Sequence, residues 1–372
     1  MSEFLSILED RVIPVVARNA SSVDAEARFP SQSIEALRES GLLGLISRIE
    51  VGGRAGSVKD AASIIERLAR ECASTAMVTA MHYAATAVLE AHGSEAIRKD
   101  VAAGRHFTTL AFSESGSRSM FWAPTSTART EGSDVVLDAK KSWVTSAHYA
   151  DSYVWSSRPV AGDGASTIWL VPRESNGLSI VGKFTGLGLR GNDSTPVVAE
   201  SVRIPASNRL GEDGGGFGVM MVAVLPIFNL LNASCSIGVM EGALARTIEH
   251  ANKTKFEHTG QSIAEQPTAR QHLARARIKA DMARTLVFDT ADSLVAARPD
   301  AMLRVLECKA CAADTATEVL GLLMRVAGGA AYRADVGVER YFRDAQAATV
   351  MAPTTDALHD FIGKAICGLD LF

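Results

Sequence analysis

Cys308 and Cys311 stand three residues apart, a spacing that suits a redox or metal-binding pair. No second pair follows, and both fall in one long helical run, so two small core side chains are the plainer reading. Cys72, Cys235 and Cys367 bring the total to five, an odd number in helical settings that fits free thiols in a reducing cytoplasm. His82 lies in Met81-His82-Tyr83, within a stretch from Ala73 to Leu89 that is nearly all small or apolar. Such a stretch predicts a helix buried on most sides, where a histidine is first of all a satisfied core residue. Pro353 breaks the chain near its end, and Thr354, Thr355, Asp356 and His359 follow. Thr355 or Asp356 is expected to cap a last helix ending near Ile366.

These side chains need a framework, and composition sets its kind. With 372 residues the chain can bury a large core. Alanine is abundant and aromatics are few, which favours close-packed helices. The net charge is −4 with no basic stripe, so nucleic acid and anionic membrane are excluded as partners. No apolar run is expected to span a bilayer. The N-terminus lacks the cationic start and apolar core of a secretory signal, which points to the cytoplasm.

Residues 1–107 read as helices, 108–212 as a β domain and 213–372 as a helical bundle. Val135-Val136-Leu137, Tyr153-Val154-Trp155, Thr167 to Val171 and Val197-Val198 are short β-rich runs separated by turn residues, as in a small barrel or sandwich. The helical period returns after Gly216, with a long helix to about Lys253 that Pro226 is expected to kink. Further helices are expected at about 266–296, 300–327 and 335–350.

Seven motifs in this order carry a family resemblance. Phe29-Pro30 through Gly41-Leu42-Leu43-Gly44 and Gly52-Gly53 is the first, and Leu110-Ala111-Phe112-Ser113-Glu114-Ser115-Gly116 the second. Lys141-Ser142-Trp143-Val144-Thr145-Ser146-Ala147 and Gly186-Leu187-Gly188-Leu189-Arg190-Gly191 follow. Then come Arg203-Ile204-Pro205 with Leu210-Gly211 and Gly214 to Phe217, Gly328-Gly329-Ala330-Ala331-Tyr332, and Val338-Glu339-Arg340-Tyr341-Phe342-Arg343-Asp344-Ala345. Over essentially its full length the chain resembles the acyl-CoA dehydrogenase superfamily. The resemblance implies a mainly α fold with a central β domain: an N-terminal helical domain, a β-barrel and a C-terminal four-helix bundle.

It also implies FAD, with FMN as the alternative. By match, Phe112, Ser113, Gly116 and Ser119 would meet the ring, Trp143 would pack on it and Thr145 bond it. Thr354 and Thr355 would lie near the flavin, and Gly328 and Gly329 would let a partner subunit's FAD phosphate approach. A homodimer or homotetramer is implied, with an electron-transfer flavoprotein or a flavin reductase as redox partner. Two departures stand out. Asn252-Lys253-Thr254-Lys255 replaces the family's phosphate-reaching arginine, with Lys253 or Lys255 as substitutes. Ala352 replaces the glutamate that removes the α-proton, and the alternative base position on the bundle helix holds Phe228 beside Asn229.

Without that carboxylate three readings stay open. Another residue serves as base in the α,β-dehydrogenation of a thioester carried on CoA or an acyl carrier protein; Asp356, His359 and Glu114 are the candidates. Or the chain is a monooxygenase of the same fold that uses reduced flavin and oxygen, with His82 and Ser113 holding the oxygen adduct. Or it binds flavin and thioester without turnover. Phe228, Asn229 and Met351 are expected to line the substrate pocket, and no metal is expected.

Overall fold

A computed structural model describes residues 2–118 and 120–371. They form two compact units. The first takes the chain through Ala61, then Val78–Thr185 and Arg190–Phe228; the second takes Ala62–Met77, Gly186–Leu189 and the chain from Asn229 onward.

The N-terminal helices are α1 (Glu3–Ile7), α2 (Ile13–Ala25), α3 (Ser31–Glu39), α4 (Val58–Glu71), α5 (Ala73–His92) and α6 (Glu95–Ala102). The β region has strands β1 (Thr108–Ala111), β2 (Thr127–Glu131), β3 (Asp134–Val144) and β4 (Ser152–Ser157). It continues with β5 (Thr167–Pro172), β6 (Leu178–Ile180), β7 (Thr195–Pro205) and β8 (Arg209–Leu210). They make two four-stranded sheets, ordered β1-β4-β5-β8 and β2-β3-β7-β6. All pairs are antiparallel except β1 with β4. The longest pair, β3 with β7, slips register between Leu137 and Ala139 and again between Lys141 and Val144. The second slip is a bulge, which bends a strand and re-aims a side chain. Trp143 sits in it.

The helical half comprises α7 (Gly216–Val219), α8 (Leu225–Lys253), α9 (Pro267–Val295), α10 (Ala301–Ala327), α11 (Val338–Val350) and α12 (Thr355–Ile366). Around Pro226 the helix is not uniformly α: a π-helical turn, Met220–Val224, directly precedes α8, whose second residue is the proline. The stretch Gly216–Lys253 also corrects the expectation about apolar runs: by length and composition it would cross a bilayer, yet 67% of its apolar window is buried inside the protein.

Within the second unit α8 crosses α4 on glycines. A Cβ on Gly238 would stand 2.2 Å from the Glu66 carbonyl oxygen, and one on Gly242 would stand 2.5 Å from that of Arg70. The Glu66 carboxylate accepts from Arg284 at 3.1 and 3.2 Å, which fastens α9 to the same crossing. Asp344 on α11 accepts from the Leu189 amide at 2.6 Å.

Candidate functional site

The first unit brings Phe112 and Ser113 beside the end of β3. Glu114 bridges Lys141 as an antiparallel pair, and the Ser113 carbonyl accepts from the Ser142 amide at 2.9 Å. Below this junction lies a buried ion pair. Lys141 Nζ donates to Glu114 Oε1 at 2.6 Å and to the Ser156 carbonyl at 2.7 Å, and neither charged side chain is more than 1% exposed. Glu114 also accepts from the amides of Thr125 and Ser126 at 2.6 and 3.1 Å and from the Ser126 hydroxyl at 2.6 Å. Burial alone would raise the Glu114 pKa, but the ammonium and the hydroxyls outweigh it and hold the carboxyl at about 2. This corrects one expectation: Glu114 is a fixed structural anion, not an available base.

Trp143 was expected to pack on the flavin ring. It is 69% exposed and adopts φ +59°, a left-handed conformation that costs a large side chain about 1–2 kcal/mol. Its ring meets Phe184 edge-on at 6.4 Å between centroids. Two residues on, Thr145 is buried and its hydroxyl lies 3.2 Å from that of Ser194. Phe112 is buried, Ser113 half-buried and Gly116 exposed. Ser119 lies outside the described residues.

His82 has no exposed surface and stacks on Phe107. Its Nδ1 accepts from the Thr108 amide at 3.2 Å and its Nε2 donates to the Leu43 carbonyl at 3.3 Å. Burial pushes its pKa down to about 4, so it is a neutral core histidine with both nitrogens engaged. As a candidate for holding an oxygen adduct it is corrected by that environment.

In the second unit the segment after α11 runs Met351-Ala352-Pro353, and Thr354 caps α12 by accepting from the Ala357 amide. The cap is therefore Thr354, not Thr355 or Asp356. Thr355 is buried and its hydroxyl has no partner among the described residues, while Asp356 is exposed in the first turn. His359 is exposed and lies 3.4 Å from Asp314, so it is drawn away as well. Phe228 is the last residue of the first unit and Asn229, next on α8, opens this stretch of the second; both are buried, and Asn229 donates to the Val305 carbonyl at 3.3 Å and keeps a side-chain oxygen without a partner among the described residues. Asn232, one turn on, donates to Met351 Sδ at 3.5 Å.

Lys309, on α10, was not foreseen. Its ammonium is fully buried and donates to the carbonyls of Ala348, Met351 and Pro353 at 3.2, 3.0 and 2.8 Å. Gly328 and Gly329 lie at the far end of α10, about 28 Å away at 1.5 Å per residue. Gly328 holds φ +59°, ψ −140°, and a Cβ on either glycine would meet open space. The glycines and the threonines are thus not brought together within this unit.

The cysteines are free; Cys308 is buried and Cys311 half-buried on one helix. Among the described residues no group of three or more histidine, cysteine or acidic side chains could hold a metal.

A flavin needs an aromatic or apolar wall, hydroxyl or amide partners at the ring edge, and room at its phosphates. Within the first unit Trp143 offers an uncovered wall and Ser113 and Thr145 offer hydroxyls, which suit a flavin ring. Within the second, Gly328 and Gly329 offer open backbone, which suits a phosphate.

Comparison with known proteins extends these observations. Family models described as the acyl-CoA dehydrogenase N-terminal, middle and C-terminal domains match residues 4–104, 109–202 and 214–367. A probable acyl-CoA dehydrogenase, fadE25, of Mycobacterium leprae is 29% identical over 357 residues, covering 94% of this chain and 91% of its own length. The butyryl-CoA dehydrogenase structure from Megasphaera elsdenii superimposes with TM-score 0.92 at 21% identity, covering 99% of both chains. A prolyl acyl carrier protein oxidase, AnaB, does so with TM-score 0.89 at 19% identity, covering 98% of this chain and 99% of its own. At these identities the structural likeness speaks for the fold.

Proposed function

Since this chain belongs to the acyl-CoA dehydrogenase superfamily of FAD-dependent flavoproteins, we propose that it oxidises the α,β-bond of an acyl thioester carried on CoA or an acyl carrier protein. The observation that carries the flavin site is Trp143, an exposed indole held in a strained conformation by a bulge. Strain of that kind persists where surrounding structure imposes it, and it clusters at ligand sites. On this reading the three domains divide at 107/108 and 212/213.

FAD, when bound, would accept the hydride leaving Cβ. The chain's own residues supply the rest. Trp143 covers the ring, and Ser113 and Thr145 orient its edge. Phe112 and Phe228 exclude water, which strengthens every polar contact inside. The proton leaving Cα needs an acceptor, and residue 352 is a methyl group. Asp356 is the remaining carboxylate among the candidates, four residues on in the first turn of α12. It is exposed and, unlike Glu114 or His359, it is paired with no charged side chain among the described residues. The monooxygenase reading keeps Ser113 but loses its histidine, because His82 is locked in the core.

The test is anaerobic titration of the flavin-loaded protein with a panel of acyl-CoAs. Bleaching of the oxidised flavin supports dehydrogenation. No bleaching, with oxygen uptake once a reductase supplies reduced flavin, refutes it in favour of oxygenation. A spectral shift without bleaching or oxygen uptake leaves a binding protein.

A further inference from the structure

We propose that Lys309 is a positioning residue: its ammonium clamps the turn that carries residue 352 and primes that turn's backbone amide to receive an acyl oxygen. The inference rests on the thioester reading above. Lysine donates three hydrogen bonds, and all three go to carbonyls on either side of Ala352, those of Ala348, Met351 and Pro353. A structural lysine would be expected to face water or a carboxylate; this one has neither. Its side chain is buried, and no acidic group is paired with it among the described residues. A buried cation without a counter-ion is costly, so three converging carbonyls are what holds it there.

The Met351 carbonyl belongs to the same peptide unit as the Ala352 amide. An ammonium on that oxygen draws charge from the peptide and makes its N–H a stronger donor, as in any hydrogen-bonded chain. The Ala352 amide has no acceptor among the described residues, and Ala352 is half-buried. The turn therefore presents a polarised donor where the side chain offers nothing. A thioester carbonyl oxygen is the ligand that suits it, since negative charge grows on that oxygen as the α-proton leaves.

The charge state of Lys309 matters, because a neutral amine has two N–H donors and a lone pair for three carbonyls. Burial pulls its pKa down, to about 7. The carbonyl dipoles push the other way. The charged and titratable groups on the neighbouring turns of the elements around it are Arg304, Glu307, Cys308, Cys311 and Asp314 on α10, Asp281, Arg284 and Asp289 on α9, Arg343 and Asp344 on α11, and Asp356, His359 and Asp360 on α12. The facing turn of α8 offers only the amides Asn229 and Asn232. Of these, Cys308 alone bears on the ammonium, and burial pushes its thiol up to about 12, so it is neutral at ordinary pH.

The experiment uses flavin-loaded protein with Lys309 intact, with Lys309→Met, which keeps the stem but removes charge and donors, and with Lys309→Arg, which stays cationic. Hydrogen exchange of the 346–358 segment is followed from pH 6 to 10, together with the flavin spectral shift on adding butyryl-CoA. The native protein should lose protection in the segment as pH rises through the lysine's pKa. Lys309→Met should exchange at least tenfold faster at pH 6, with the difference shrinking as the native lysine loses its proton, and Lys309→Arg, if it folds, should show no such limb. Butyryl-CoA should bind at least tenfold more weakly to Lys309→Met. Unchanged exchange and an unchanged pH profile in Lys309→Met would overturn the clamp. Exchange that responds while butyryl-CoA affinity does not would overturn the primed amide. If no acyl-CoA perturbs the native flavin, the thioester reading fails, while the exchange data still decide the clamp.

Discussion

Lys141→Met replaces a buried ammonium with an apolar side chain of similar length. It removes the 2.6 Å bond to Glu114 and the 2.7 Å bond to the Ser156 carbonyl. Glu114 then stays buried as a carboxylate without a cation. Breaking a buried pair from one side costs about 3–5 kcal/mol. The carboxylate's own titration gives a matching magnitude. Its pKa falls from 4.5 to about 2 on folding, which corresponds to about 3 kcal/mol at 1.36 kcal/mol per unit. The sign follows from proton uptake: the unfolded chain binds this proton more readily. The native contribution is therefore complete above the unfolded pKa of 4.5 and lost as pH falls towards about 2. In Lys141→Met the carboxyl is free to protonate, so the penalty should shrink from pH 8 to pH 5. The double variants separate charge from hydrogen bonding. Glu114→Gln with Lys141→Met removes both charges yet keeps an oxygen for the Thr125 and Ser126 amides, and should recover at least half of the loss. Glu114→Leu with Lys141→Met orphans those amides, at about 1–3 kcal/mol each, and should recover less. Urea unfolding followed by circular dichroism reads all three. A cost below about 1 kcal/mol for Lys141→Met, or a leucine double variant as stable as the glutamine one, would refute the reasoning.

Trp143→Gly relieves the φ +59° conformation, so the flavin-free protein should gain about 1 kcal/mol while FAD retention on gel filtration falls; a loss of both would place the indole in the core. Gly238→Ala puts a methyl 2.2 Å from the Glu66 carbonyl oxygen and should destabilise by at least about 1–3 kcal/mol, measured as a lower urea midpoint. Asp356→Asn should slow thioester-driven bleaching by about 10²–10⁴-fold without changing the folded spectrum; unchanged bleaching would remove Asp356 as the base, and recovery on adding Ala352→Glu would show that the pocket still admits a thioester.

The helices were legible where period and punctuation agree. Pro267 opens α9 and Gly328 ends α10 within a residue or two of the expected ends, because proline and glycine fix backbone angles locally. The motifs around Ser113 and Trp143 were assigned to a cofactor through their resemblance alone. Their physical setting was not. A tryptophan in a β-rich run reads as core, and only the register slip between Lys141 and Val144 turns it outward. Glu114 and Lys141 are separated by 26 intervening residues, so no local rule pairs them. Lys309 falls in an alanine-rich helical run, where a lysine ordinarily marks the wet face; its three acceptors lie some forty residues ahead. The apolar stretch of Gly216–Lys253 was underestimated because Pro226 and Asn229 interrupt it by eye, though not in mean hydropathy.

The second unit is assembled from three separate lengths of chain, and that has an evolutionary and practical cost. A fragment starting at Asn229 would leave Arg284 without Glu66, hollow the groove that Gly238 and Gly242 shape for α4, and strip Asp344 of the Leu189 amide. Such a piece cannot be lent to another protein by one cut and splice. Changes to this unit are therefore made by exchanging side chains within the whole chain rather than by moving a segment.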